Sequence, residues 1–448
     1  MNDLELCRKL ISIDSSFSHG TGHIAAYIVE LVKGFGLEIY VQNENHLGVP
    51  QANVIVKTPG DNADKNLLLL SHLDTDSPGE YANWTHTGAN PFNASINGDR
   101  LFGLGVTDAK ADFACKLLAL KRFKNKKFKR VSPVLVGTFG LSSGAGTIRL
   151  VRKNKWNVVG AAVGGPTDLK IATKGPGYAK VEISVPFSEE ERFYKDQHNV
   201  SEVSISQSKI FSRQSEGTAI TDLNKNPILK MMEYLNNLPE GVAIIAVDGG
   251  FSATSEPDTA FLEIDLANLK TNGVARKLTQ LSALLMQLAA ELKSNSDSGF
   301  NPPTSTVNVG MIRTHEDEIK LTGYCRLIPV NAQGRDIYDS WLEKLKQKCF
   351  GIGLQPRILD YKPPFSGQRT EFTDQVLSLV DNEKNYGEAS QLCTEANVLS
   401  RLGVQSFVYG PGSALPNSAQ FIYDQSIKVG DIEKAQTFYC QLIERICE

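Results

Sequence analysis

Residues 66–78 read Asn-Leu-Leu-Leu-Leu-Ser-His-Leu-Asp-Thr-Asp-Ser-Pro, "NLLLLSHLDTDSP". Four consecutive leucines without alternation predict a strand buried on both faces, the habit of parallel sheets. His72 and Asp74 stand at its end. Spaced i and i+2, they leave the strand tip on one side, in the crevice where open α/β sheets take their ligands. A carboxylate there can hold the second nitrogen of an imidazole and fix its tautomer. Alone, His-x-Asp is a weak sign, served equally well by a buried structural histidine.

The neighbours of this strand extend the pattern. Residues 3–35 predict two helices broken at "DSSFSHGTG" (14–22), followed by strands at "LEIYVQ" (37–42) and "ANVIVKT" (52–58). Downstream come a helix over 109–121, a strand over 132–139, a helix over 145–153 and the strand "VVGAAVGG" (158–165). This alternation predicts an α/β fold with a largely parallel sheet flanked by helices. After Lys174-Gly175-Pro176-Gly177 the character changes to alternating strands: "YAKVEISV", "GVAIIAV", "TAFLEIDLA", "STVNVGMI" and "EIKLTGYCRLIP". Helices over 225–237, 274–293 and 335–348 lie among them, an α+β insertion. Residues 187–216 are polar and predict a long exposed excursion. The α/β pattern returns after "YKPPFSG" (361–367). Residues 1–175 and 363–448 are therefore expected to form one discontinuous domain, with 176–362 inserted as a second.

Composition narrows the function classes. The chain has 448 residues, a formal net charge of −3, 41% hydrophobic and 22% charged residues, as an ordinary soluble globular protein has. The slight acidity argues against a general nucleic-acid binder, which needs a basic excess to displace counterions. The basic run Lys121–Arg130 follows a helical pattern and reads as cations at a helix C-terminus, where they complement the dipole. No run approaches 18 apolar residues, so no membrane span is expected. The start, "MNDLELCRKLI", carries no apolar core of a signal peptide. Seven cysteines, odd in number and without Cys-x-x-Cys, read as free thiols of a reducing cytoplasm.

The longer motif is more specific. Trp84, Pro91-Phe92, Gly98-Asp99 and Gly103-Leu104-Gly105-Val106-Thr107-Asp108-Ala109-Lys110 follow His72 and Asp74 in order. Further on stand Pro166-Thr167, Lys174-Gly175, "STVNVGMIR" and Tyr409-Gly410-Pro411-Gly412. With these the chain resembles, nearly end to end, the zinc-dependent deacylases and exopeptidases that include acetylornithine deacetylase, succinyl-diaminopimelate desuccinylase, aminoacylase and glutamate carboxypeptidase. The resemblance implies a zinc-exopeptidase-like sheet with an inserted ferredoxin-like lid that also dimerises. It further implies two zinc ions bridged by one aspartate, here Asp108, with His72 on one of them and Asp74 behind it.

The remaining family positions are substituted. The Glu-Glu pair that supplies the general base and a zinc ligand falls in "GTFGLSSGAGT" (137–147), most simply at Leu141 and Ser142. The acidic position before Pro166-Thr167 is Gly165. The C-terminal histidine ligand aligns with Phe421, and His315 is the last histidine in the chain. Two ligands of five remain, whereas catalytic zinc takes three protein ligands and an open position, and leucine cannot serve as a base.

The sequence thus predicts a degenerate homologue that lacks di-zinc hydrolysis. It is expected to bind a small amino-acid- or peptide-like ligand or a protein partner, with no nucleic acid and no membrane. No cofactor is expected, or at most one weakly bound zinc on His72 and Asp108. Arg326, Gly410 and Gly412 are candidates for substrate binding, and a homodimer through the insertion is expected. Two alternatives keep catalysis. In one, a single metal on His72 and Asp108 is completed by Asp168 or Glu395. In the other, a Ser142–His72–Asp74 triad is served by the backbone N–H groups of Gly140, Gly144 and Gly146; Ser142-Ser143 would otherwise be plain loop or a helix N-cap.

Overall fold

A computed structural model describes residues 2–61, 63–140, 144–198, 206–213, 223–266, 269–270, 273–330, 335–380, 388–413 and 423–448. The chain opens with α1 (Asp3–Ile11), α2 (Gly22–Phe35), β1 (Glu38–His46), β2 (Val49–Lys57) and β3 (Lys65–His72). Next come β4 (Ser95–Asn97), β5 (Arg100–Phe102), α3 (Lys110–Arg122), β6 (Val131–Thr138), α4 (Ala145–Asn154), β7 (Val158–Gly164) and β8 (Lys174–Gly175). The middle of the chain holds β9 (Gly177–Pro186), α5 (Glu189–His198), β10 (Ser206–Ser212), α6 (Pro227–Tyr234), β11 (Val242–Gly249) and β12 (Thr259–Leu266). It continues with α7 (Gly273–Leu292), β13 (Thr306–Thr314), β14 (Glu318–Leu327), α8 (Arg335–Gly351) and β15 (Gln355–Lys362). The last part supplies β16 (Phe365–Ser366), α9 (Glu371–Leu377), α10 (Glu395–Arg401), β17 (Ser406–Tyr409), β18 (Ser426–Lys428) and α11 (Val429–Cys447). Two compact units result, Met1–Pro176 with Phe365–Glu448, and Gly177–Pro364.

Among the described residues, the first unit is built on a six-stranded sheet in the order β1-β2-β6-β3-β7-β17. Strands β6, β3, β7 and β17 run parallel, while β1 and β2 add an antiparallel edge. The leucine run explains itself here. Leu67 and Leu69 pack with α1, α2, α3 and α11 on one face, and Leu68 and Leu70 pack with α4 and α10 on the other. A strand covered on both sides has no polar position to alternate. The helices carry their own signals: Asn2 accepts the Glu5 N–H at 2.8 Å at the start of α1, and α2 ends on Gly36 at φ 74.

The second unit carries an antiparallel seven-stranded sheet, β10-β12-β11-β13-β14-β9-β15, with α6, α7 and α8 packed on one face. Three of its elements depart from the sequence expectation. Within the presumed excursion 187–216 lie α5 and β10, the latter paired in register from Ser206↔Asp265 to Ser212↔Thr259. Ser188 and Glu191 cap each other at the start of α5, and Glu191 reaches on to the Val274 N–H at 2.8 Å, tying α5 to α7. The polar composition misled because β10 is an edge strand, open to water. β15 was likewise not anticipated. It holds Pro356 and pairs only with β9, as an edge strand tolerates.

Beneath the end of β3, the first unit buries an ion pair. Lys116 Nζ lies 2.7 Å from Asp112 Oδ2 and donates to the Leu70 carbonyl at 2.7 Å, with both side chains buried. Ser71 Oγ donates to the same carboxylate oxygen at 2.5 Å, and Tyr439 of α11 donates to the other. A side chain at Gly164 would run into Asp112. Asp112→Ala leaves Lys116 buried without its counter-ion and should cost about 3–5 kcal/mol. The fall in urea midpoint of the first unit measures it; a loss under about 1 kcal/mol refutes this account.

Candidate functional site

The site residues gather at the C-terminal ends of the parallel strands. On β3 the odd positions face α3 and α11, so Ser71 joins the buried ion pair while His72 faces the α4 and α10 side. The His72 ring is buried, and its two nitrogens are both addressed. Nδ1 lies 2.8 Å from the Asp74 backbone carbonyl, and Nε2 lies 3.7 Å from Asp108 Oδ2. The Asp74 carboxylate stands further from the ring, at 3.7 Å, and accepts the Gly140 N–H at 3.0 Å. The tautomer-fixing partner predicted from His-x-Asp is therefore mainly the backbone oxygen of Asp74.

Asp108 rides on the loop before α3, and that loop is held from several sides. Lys110 N–H closes on the Gly105 carbonyl at 2.8 Å, and Gly105 N–H donates to Gln425 Oε1 at 2.7 Å. Gly412 approaches so closely that a side chain there would collide with the Thr107 carbonyl. Gly410 likewise packs on Gly165 and donates to Thr167 Oγ1 at 3.1 Å. Close backbone approach thus accounts for both glycines proposed as substrate contacts. The Lys110 ammonium is buried and donates to the Ile13 carbonyl at 2.7 Å.

The electrostatics follow from this packing. Burial opposes charge on His72, but Asp74, Asp108 and Glu395 outweigh it and push the imidazole up to about 10. Burial raises the Asp108 carboxyl, helped by Asp76 and Asp74, while His72 draws it back. Burial pulls Lys110 down to about 7, against Asp14 and Asp108.

Other expected residues find different places. Leu141, Ser142, Ser143 and Phe421 lie outside the described residues. The three N–H groups offered as an oxyanion hole are occupied: Gly140 donates to Asp74, Gly144 to Gly140 and Gly146 to Phe139. Gly144, at φ 67, is itself the N-cap of α4. Asp168 is an exposed turn residue at φ 54. Glu395, offered as a completing ligand, is 1% exposed at the start of α10 and within electrostatic reach of His72 and Lys116. Arg326 belongs to β14 of the second unit. It donates to the Pro302 carbonyl at 3.1 Å and stacks over Phe300, with burial lowering its guanidinium below the usual range. Sequence reasoning passed over Asn53, whose amide accepts from Phe139 N–H at 3.2 Å and donates to the Gly146 carbonyl at 3.0 Å. A lone asparagine inside the apolar "ANVIV" was the available signal.

A profile described as peptidase family M20/M25/M40 matches residues 68–445. The chain belongs to this family. M20 relatives include acetylornithine deacetylase of Myxococcus xanthus, 29% identical over 136 residues, and succinyl-diaminopimelate desuccinylase of Gluconobacter oxydans, 30% identical over 120 residues. Each match covers 27% of this chain, and the chain spans only 33% and 28% of those two proteins. The M20 fold extends much further. Aminoacylhistidine dipeptidase from Vibrio alginolyticus superposes with a TM-score of 0.59 at 13% identity over 99% of this chain and 96% of its own. The dipeptidase Dug1p from Saccharomyces cerevisiae gives 0.57 at 10% identity over 100% and 96%. The peptidase-type α/β fold is thereby shown, and with it kinship to peptidases and deacylases.

M20 proteins usually bind zinc, which supplies a hydroxide nucleophile at neutral pH. Among the described residues, the side chains do not fit two such ions. A Cβ on Gly165 would stand 2.5 Å from Val408 Cγ1, so the space of the family's acidic ligand is filled by packing. Among the described residues, no group of three His, Cys, Asp or Glu side chains converges as a metal site requires.

The His72 arrangement makes a pH prediction. Its folded pKa near 10 exceeds the unfolded value of about 6.5, so it favours folding fully below pH ~6.5 and loses this as pH rises through about 10. Lys110, shifted the other way, favours folding increasingly over a similar range, so the comparison must be between proteins. The stability advantage of the unmodified chain over His72→Gln should shrink steadily from pH 6.5 to 10, measured by thermal melts. An advantage independent of pH refutes the assignment.

Proposed function

We propose that this M20 protein no longer performs di-zinc hydrolysis and acts by binding a small amino-acid- or peptide-like ligand, or a protein partner. Gly165 carries the reading: its missing side chain and the Val408 packing leave no place for the acidic ligand. The substitutions at Leu141, Ser142 and Phe421 agree, since together they remove a base and two further ligands. Loss of acidic positions and of bound cations belong together. A pocket stripped of carboxylates needs no divalent charge to be stable. What remains, His72 facing Asp108 at 3.7 Å, supports at most one weakly held zinc. Nothing in the described helices is long and apolar enough to cross a membrane; the free, mostly buried cysteines support a cytoplasmic protein.

The purified protein should carry well under one equivalent of zinc. It should release no amino acid from N-acyl amino acids or dipeptides when zinc or cobalt is added. Metal analysis with a deacylation assay checks both; near-stoichiometric di-zinc loading or robust turnover refutes the reading.

The same reading includes a homodimer through the second unit, supported by its edge strands β10 and β15. Light scattering should give about twice the chain mass, and a monomer at every concentration removes the dimer while leaving the fold untouched.

A further inference from the structure

Leu47 breaks two expectations at once. With φ 53, followed by Gly48 at φ 83, it occupies the left-handed pair of a two-residue turn between β1 and β2. Asn, Asp or Gly suits such a position, whereas a branched apolar side chain is strained there. Leu47 is also 80% exposed. A residue that costs stability in the backbone and gains none by burial points toward function.

The turn stands at the end of the sheet where the site lies. β2 runs antiparallel to β6 through Val54↔Gly137, and β6 pairs with β3 as far as His72↔Thr138, so the tip rises beyond those strand ends. A loop between α1 and α2 connects the two places. At one end the Ser15 carbonyl accepts the Thr75 N–H at 3.1 Å, three residues from His72. At the other, Thr21 Oγ1 and the backbone of Ala52 exchange hydrogen bonds at 2.9 and 2.8 Å. Phe17 stands between these anchors, 43% exposed. Its ring meets His46 at 6.3 Å, and His46 meets the buried Phe139 at 5.7 Å. Phe139 precedes Gly140, whose N–H binds Asp74. Rings therefore lead from the carboxylate beside His72 to the hairpin tip. The nearby cation does not make this a charged lip, because Arg149 is paired with Glu44 at 3.0 Å.

We propose that Phe17 and Leu47 form an apolar lip that receives a side chain of the bound ligand. The site accordingly selects amino-acid- or peptide-like molecules carrying an aromatic or large aliphatic group. This rests on the ligand-binding reading above and specifies its chemistry. The lip is neutral and apolar, and burying a leucine- or phenylalanine-sized group against it gives affinity that glycine or glutamate lacks.

Calorimetric titration of the full chain with N-acetyl-phenylalanine, -leucine, -glycine and -glutamate amides tests it. Phenylalanine and leucine should bind about tenfold more tightly than glycine and glutamate, as burial of part of one such side chain gives. Leu47→Asn should reduce that preference to about threefold or less while raising the melting temperature, because asparagine relieves the turn. Phe17→Ser should reduce the preference likewise, with no gain in stability. Binding without side-chain preference, or a preference unchanged in both variants, overturns the lip and leaves the ligand-binding reading standing. Failure of all four amides to bind overturns the lip together with the small-ligand form of that reading.

Discussion

The first unit is organised around a carboxylate and an ammonium that share a dry interior. Asp112 and Lys116 lie one turn apart on α3, and burial of either charge alone is prohibitive. Their remaining valences therefore dictate what surrounds them. Lys116 takes the Leu70 carbonyl at the end of β3, and Asp112 takes Ser71 from the same strand and Tyr439 from α11. Gly164 must lack a side chain to make room. One helix, two strand ends and the C-terminal helix are fixed relative to each other by this single satisfied pair. His72 is the residue next to Ser71, so the geometry of the site inherits that of the ion pair.

The site above it is held by the backbone as much as by its own side chains. His72 and Asp74 are bonded into the scaffold at the C-terminal end of the sheet, and Asp108 lies 3.7 Å from the His72 ring. An imidazolium among Asp74, Asp108 and Glu395 supplies positive charge from within the chain. Gly165 has no room for a side chain, since Val408 stands against it. The ring contacts from Phe139 through His46 to Phe17 link the strand end beside the site to the loop between α1 and α2.

The sequence by itself determined the class of fold and the order of its elements. Continuous apolar runs such as Leu67–Leu70 admit only strands covered on both faces, and the spacing of His72, Asp74 and Asp108 around Gly103 and Gly105 identified the family. Substitutions such as Gly165 were legible too, because a residue type that cannot ligate needs no coordinates to be recognised. Tertiary structure alone decided what depends on who stands opposite. α5 and the edge strands β10 and β15 were hidden because partly solvated elements carry polar sequences that resemble loops. That Glu395 lies inside, near His72 and Lys116, followed only from the packing of α10. The backbone oxygen of Asp74, at 2.8 Å, stands nearer the His72 ring than its carboxylate at 3.7 Å, a difference that only the folded chain sets. Periodicity reports how much of an element is buried; only packing reports against what, and bonds between distant residues follow from the second.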